Sequence, residues 1–216
     1  MKLHLGCGQQ YLEGYTNIDF PSSSHSVQQT SVADIHADIL SLHYPANTVE
    51  EVRLHHVFEH FTRPVACALP ASWSSWLTYG GKIHIEVPDF QMTARAMLRP
   101  LASTKRQSVA ERHIFGSHEA GWAVHCEGYT PKSLTRCVNE YGFRLLSIKK
   151  NRWRGIYNFV LIGQKTAQLS LEDLEEATER YLEIFMVDSS ESERRLLSVW
   201  MDMYREQVKK SWARNE

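Results

Sequence analysis

The chain of 216 residues carries 24 basic against 25 acidic side chains and 43% apolar residues, enough to bury one good core at the upper end of single-domain size. A formal net charge of −1 gives no global field to recruit a polyanion, so nucleic acid is not an expected partner. Cys7, Cys67, Cys126 and Cys137 lie far apart with no C-x-x-C pair, the start has no apolar leader run, and no stretch looks like a membrane span; reduced thiols in a cytoplasmic protein, without cysteine-bound zinc and away from membranes, are the expectation.

Short apolar runs alternate with amphipathic or turn-rich segments through residue 163, the pattern of strands alternating with helices around a mostly parallel sheet. The expected strands are 2–5, ending at Gly6-Cys7-Gly8, then 15–20, a short one within 31–39, and 49–56. Glu59 and His60 should open a helix, and 63–77 a further one that Gly80-Gly81 breaks. Tight alternation over 82–87, closed by Pro88, marks a fifth strand. Residues 99–129 lose the pattern and are rich in His, Gly and charge, a long segment of the kind that covers sites. Thr130-Pro131 then caps a helix that Gly142 closes, and 144–149 with 156–163 form an antiparallel edge hairpin.

The tail differs in composition. Ser170 caps a helix with Leu171, Leu174, Tyr181, Leu182 and Phe185 on one face, and Ser190 to Glu193 spells a capping box before a second with Leu196, Leu197, Trp200, Tyr204, Val208 and Trp212. The chain therefore divides into an α/β unit over 1–168 and a C-terminal helical hairpin over 169–216, which packs on the core or serves a partner, including a homodimer.

Glycines at 6 and 8 follow the first strand where backbone must approach a ligand closely or take a positive φ. Tyr11 stands where a dinucleotide fingerprint needs its third glycine, so a nicotinamide or flavin fits poorly. Asp19, eleven positions after Gly8, closes the second strand where an acid can accept hydrogen bonds from ribose hydroxyls. Asp38 offers the same acidic end at the third strand, suited to an adenine amino group, with Ile39 packing on the ring.

The runs L-H-L-G-C-G, E-G-Y-T-N-I-D, A-D-I, H-H-V-F-E-H-F and G-G-K-I-H-I-E-V-P-D-F resemble the class I S-adenosylmethionine-dependent methyltransferases. More narrowly they resemble the short bacterial predicted methyltransferases of the type 11-like group, often associated with glycan or secondary-metabolite modification. The resemblance spans about residues 1 to 165 and implies a Rossmann-like sheet and S-adenosylmethionine as cofactor. By position it puts Gly6, Cys7 and Gly8 at the methionine moiety, Asp19 at the ribose, Asp38 and Ile39 at the adenine, and His56 at the methionine end beside the transferred methyl. The chain departs from the family at His4, where an acid is usual, and at Trp76-Leu77-Thr78-Tyr79 before the glycine pair.

His56-Val57-Phe58-Glu59-His60 also spells H-x-x-E-H, the inverted zinc-protease pattern. That site needs both histidines on one helical face, whereas His56 ends a strand, so no metal is expected. Methyl transfer from a sulfonium needs alignment, exclusion of water, and a base when the acceptor is a hydroxyl. His125, just before the Thr130 cap, is the expected base, with His56 and His118 next. No N-P-P-Y, D-P-P-Y or Pro-Cys run points to amide, exocyclic nitrogen or pyrimidine carbon, which leaves an oxygen of a sugar or small metabolite. A non-catalytic scaffold that keeps the fold is the alternative, and a zinc hydrolase a distant third.

Overall fold

A computed structural model describes residues 1–216 except 22, 24–26, 28–29, 154–155 and 213–216. The Trp212 side chain, expected on the apolar face of the second tail helix, lies outside the described residues. Seven strands among the described residues form one sheet: β1 (Lys2–Leu5), β2 (Thr16–Asp19), β3 (Ile35–His36), β4 (Val49–His55), β5 (Leu77–Pro88), β6 (Phe143–Trp153) and β7 (Ile156–Lys165), in the order β3-β2-β1-β4-β5-β7-β6. All neighbours pair in parallel except β7, which runs antiparallel to both β5 and β6.

Alternation along the central strands sorts the side chains into two faces. Leu3, Leu5, Val52, Leu54, Ile83, Ile85 and Val87 are fully buried and meet the helices α1 (Arg63–Trp76), α4 (Pro131–Asn139), α5 (Leu171–Glu183) and α6 (Glu191–Trp212) in one core. The other face carries Lys2, His4, Arg53, His55, Lys82, His84 and Glu86 in matching register. Residues 6–15 join parallel β1 to β2 without a helix, so no crossover helix is available there to cover that polar face.

Capping decides several boundaries. Thr130 and Ser133 form a reciprocal box at α4, and Ser170 and Asp173 another at α5. At α6 only half of the expected box forms: Glu193 N–H donates to Ser190 Oγ at 3.4 Å, but the Glu193 carboxylate accepts from Val187 N–H instead, and Ser190 N–H turns to Asp188. Leu171 and Leu196 point away from the core at 52% and 38% exposure. The packed stripe of α5 is Leu174, Ala177, Tyr181 and Leu182, and that of α6 is Leu197, Met201 and Tyr204.

Three expectations need correction. The segment 99–129 is not a long loop: α3 (Thr104–Phe115) occupies much of it, capped by Ser103 and preceded by α2 (Phe90–Met97). Of α3 only Ala110 is buried, so the helix lacks the apolar stripe that periodicity detects. Glu59 and His60 do not open a long helix; Phe58–His60 is a single 3-10 turn, and α1 starts anew at Arg63 because Thr62 is extended and Pro64 sits in the first turn. Gly80-Gly81 does not break the chain before a strand but lies within β5, in an irregularity where Val49 faces Leu77 and Glu51 faces Lys82. No helix among the described residues is long and apolar enough to cross a membrane.

Candidate functional site

The strand order reverses between β1 and β4, and open α/β sheets bind ligands at the carboxyl ends of the strands flanking such a reversal. A cavity of about 810 Å³ lies there, within the roughly 300–1,000 Å³ of small-molecule sites. Each parallel strand from β1 to β4 sends residues to its wall: Gly6 and Gly8 after β1, Asp19 and Phe20 at β2, Asp38, Ile39 and Leu40 after β3, and His55, His56 and Val57 at β4. His60, Phe61, Glu119 and Trp122 line the same space.

Gly6 has φ +67°, and a Cβ there would overlap Val57 Cγ2, so backbone conformation and packing both demand glycine. Gly8 N–H donates to Asp19 Oδ2 at 2.7 Å, and Phe20 N–H donates to Asp19 Oδ1 at 2.7 Å. Asp19, only 6% exposed, thereby fixes the glycine turn while standing in the cavity wall. Asp38 caps the turn Ile39–Ser41 by accepting from Leu40 N–H at 2.9 Å, which presents Ile39 to the cavity.

Cys7 does not join its glycine neighbours at the wall. Its side chain is buried, and burial pushes the thiol up to about 11. His4 does not reach the cavity either: it is fully buried and its Nδ1 pairs with Asn17 Oδ1 at 3.1 Å.

His56 follows β4 with φ +54°, a left-handed conformation uncommon for a non-glycine residue. Its Nδ1 lies 3.3 Å from Glu59 Oε1 and its Nε2 3.6 Å from Glu86 Oε1. Burial alone would depress its pKa, but the two carboxylates raise it to about 9. Their pull works in both directions: the contact with His56 holds Glu86 down at about 2. His56 is therefore a cation at neutral pH.

Glu59 is 1% exposed. Burial would raise its pKa, yet His56, His60 and His125 outweigh that and keep it a carboxylate. His125 Nε2 lies 3.9 Å from Glu59 Oε1, and the His125 ring stands edge-on to His60 at 4.7 Å between centroids. Burial lowers the His125 pKa, with His60, His113 and His56 adding to it against the pull of Glu59. His125 does not line the large cavity; it stands one layer behind His60. His118 is exposed, its Nε2 donating to Phe115 O at 3.0 Å, and is not part of the wall.

Of the sequence-expected residues, Gly6, Gly8, Asp19, Asp38, Ile39 and His56 thus converge on one cavity, whereas Cys7, His118 and His125 do not line it. His60, Glu119 and Trp122 escaped that reading as wall residues. The clue to Trp122 was its place beside the clustered histidines of 113–125.

The sequence matches no protein-family model and no curated protein. Solved structures are similar in fold at low identity. A SAM-dependent methyltransferase from Methanosarcina mazei superposes with a TM-score of 0.51 at 16% identity, over 76% of this chain and 92% of that one. One from Archaeoglobus fulgidus gives 0.52 at 15% identity over 76% and 85%. The Burkholderia thailandensis 1,6-didemethyltoxoflavin-N1-methyltransferase, solved with 1,6-didemethyltoxoflavin and S-adenosylhomocysteine, gives 0.51 at 12% over 77% and 71%. With its antiparallel β7 between β5 and β6 and its crevice at the strand reversal, the chain has the fold of the class I S-adenosylmethionine-dependent methyltransferases.

Proposed function

We propose that the protein is an S-adenosylmethionine-dependent methyltransferase acting on an oxygen of a sugar or other small metabolite. The observation that carries this reading is the convergence of Gly6, Gly8, Asp19, Asp38 and Ile39 on one cavity at the strand reversal. The group fits what the residues offer. Gly6 holds the positive-φ turn after β1 with no side chain at the cavity wall, and Asp19 puts a carboxylate in that wall, the acceptor type that ribose hydroxyls donate to. Ile39 gives an adenine ring an apolar platform, and cationic His56 suits the carboxylate of the methionine moiety.

The bound cofactor supplies an electrophilic methyl on a sulfonium. Gly6, Gly8, Asp19, Asp38, Ile39 and His56 would hold that group with its methyl toward the acceptor oxygen, whose proton a residue of this chain would have to take. His56 is a poor base because it already holds a proton at neutral pH. We assign proton acceptance to the wall where His60 faces the cavity and His125, kept neutral by burial, stands behind it. Transfer of labelled methyl from S-adenosylmethionine to a panel of hydroxylated sugars and small metabolites tests the reading. Turnover with at least one acceptor is expected, and His125→Gln should lower it by roughly 10²-fold or more with cofactor affinity nearly unchanged. Turnover within a few-fold of wild type removes His125 from the chemistry.

A further inference from the structure

Glu59 is a buried carboxylate with neither oxygen in a hydrogen bond; its contact with His56 is an ion-pair distance of 3.3 Å without hydrogen-bond geometry. Cationic His56 offsets part of the charge, but two buried carboxylate oxygens without hydrogen-bond partners remain unfavourable unless a further group takes their lone pairs. The ligand atoms of Glu59, His60 and His125 all lie within 4.8 Å of one another. His60 Nδ1 is 3.1 Å from Val124 O. A carbonyl only accepts, so Nδ1 carries the proton and Nε2 keeps its lone pair, the outer-shell arrangement common to metal-binding histidines. The two segments are also tied together, since Cys126 and Glu127 N–H groups both donate to Glu59 O, at 2.8 and 3.2 Å.

We propose that Glu59, His60 and His125 form a binding site for one divalent transition-metal ion of the zinc class, with an open coordination position toward the cavity that His60 lines. Two imidazoles and a carboxylate favour zinc and its first-row neighbours over magnesium or calcium. Zinc bonds of ~2.0–2.1 Å place ligand atoms about 3.3 Å apart, so side-chain adjustments of order 1 Å close the triad. The arrangement differs from the inverted zinc-protease pattern: His56 precedes and His60 ends the 3-10 turn Phe58–His60, and a ligand comes from the segment before α4. The expectation of no metal rested on His56 ending a strand, and the present set does not use His56.

The binding claim stands apart from methyl transfer; the role of the ion rests on it. A coordinated acceptor hydroxyl loses its proton more readily. Coordination occupies the His125 lone pair, so the base role assigned to His125 belongs to the metal-free protein; in the loaded protein the ion itself acidifies the hydroxyl, which gives its proton to water.

The test uses the full chain freed of metal with a chelator, then titrated with Zn²⁺ by calorimetry and with Co²⁺ by visible absorption. One ion per chain is expected, with the visible bands of four-coordinate Co²⁺. Affinity should fall at least about 100-fold in Glu59→Gln, His60→Gln and His125→Gln, since outer-shell changes alone reach that loss. S-adenosylhomocysteine binding retained in any one of these variants shows that it folds. A folded wild type that binds no ion, or Zn²⁺ affinity unchanged in the folded variants, overturns the site. If the ion binds as stated but S-adenosylhomocysteine does not bind the wild type, the metal site stands and the methyltransferase reading falls.

Discussion

Replacing Asp19 with alanine takes away the acceptor of both Gly8 N–H and Phe20 N–H, and with it any bond to a ribose. Hydrogen bonds to a carboxylate contribute ~1.5–3 kcal/mol each, so Asp19→Ala should weaken S-adenosylhomocysteine binding by more than about 10-fold. Gly6→Ala should act on stability: the positive φ and the overlap with Val57 cost roughly 1–3 kcal/mol, read as a lower urea midpoint. Residues of this kind were legible because they directly follow a strand, where chain direction alone decides which edge of the sheet they reach. Gly6, Asp19 and Asp38 need no tertiary information beyond a parallel sheet. Cys7 does not line the cavity because its side chain is buried in the core, and the depth of His125 behind His60 depends on how residues 116–127 cross the site, which spacing along the chain does not give.

Among the elements, α4 is set by its cap. Thr130→Ala removes the acceptor for Ser133 N–H at 3.1 Å and should destabilise the fold by about 1 kcal/mol. The polar face of β1, β4 and β5 makes the protein acid-sensitive. Burial first, then the Arg53 guanidinium, depress His55 and His84 to about 4; Glu86 pulls upward on both, while His4 and, for His84, Lys149 push down. Below an unfolded value of ~6.5 the unfolded chain takes up protons that these folded rings refuse. Stability present above that pH is therefore lost as pH falls toward 4, and the urea midpoint should drop between pH 6.5 and pH 4.5. A midpoint that is flat over this window would show that the rings are not held neutral. Strands and capped helices were legible from alternation and from Thr130-Pro131 and Ser170. The polar helix α3 was not, since Ala110 is its one buried residue and nothing periodic betrays it.

At the scale of the molecule, the tail closes the core. Leu197, Met201 and Tyr204 are buried with α1 in the main cluster, Gln207 Nε2 donates to Leu40 O at 2.7 Å, and the Tyr141 hydroxyl bonds Thr178 at 3.0 Å. Leu40 also borders the cavity, so removal of residues 170–216 should strip apolar cover from α1 and loosen the floor of the site together. A truncated chain is expected to aggregate or lose cooperative unfolding; a monomeric, cooperatively folding truncation would show the α/β unit to be self-sufficient. The central claim is that the cavity at the strand reversal holds S-adenosylmethionine through the β1 glycine turn and Asp19. Calorimetric titration of S-adenosylhomocysteine into the 216-residue wild type and a folded Asp19→Ala variant tests it most directly. Saturable one-to-one binding by the wild type, weakened more than about 10-fold in the variant, is the result this account requires; no binding to folded wild type, or equal affinity in both, contradicts it.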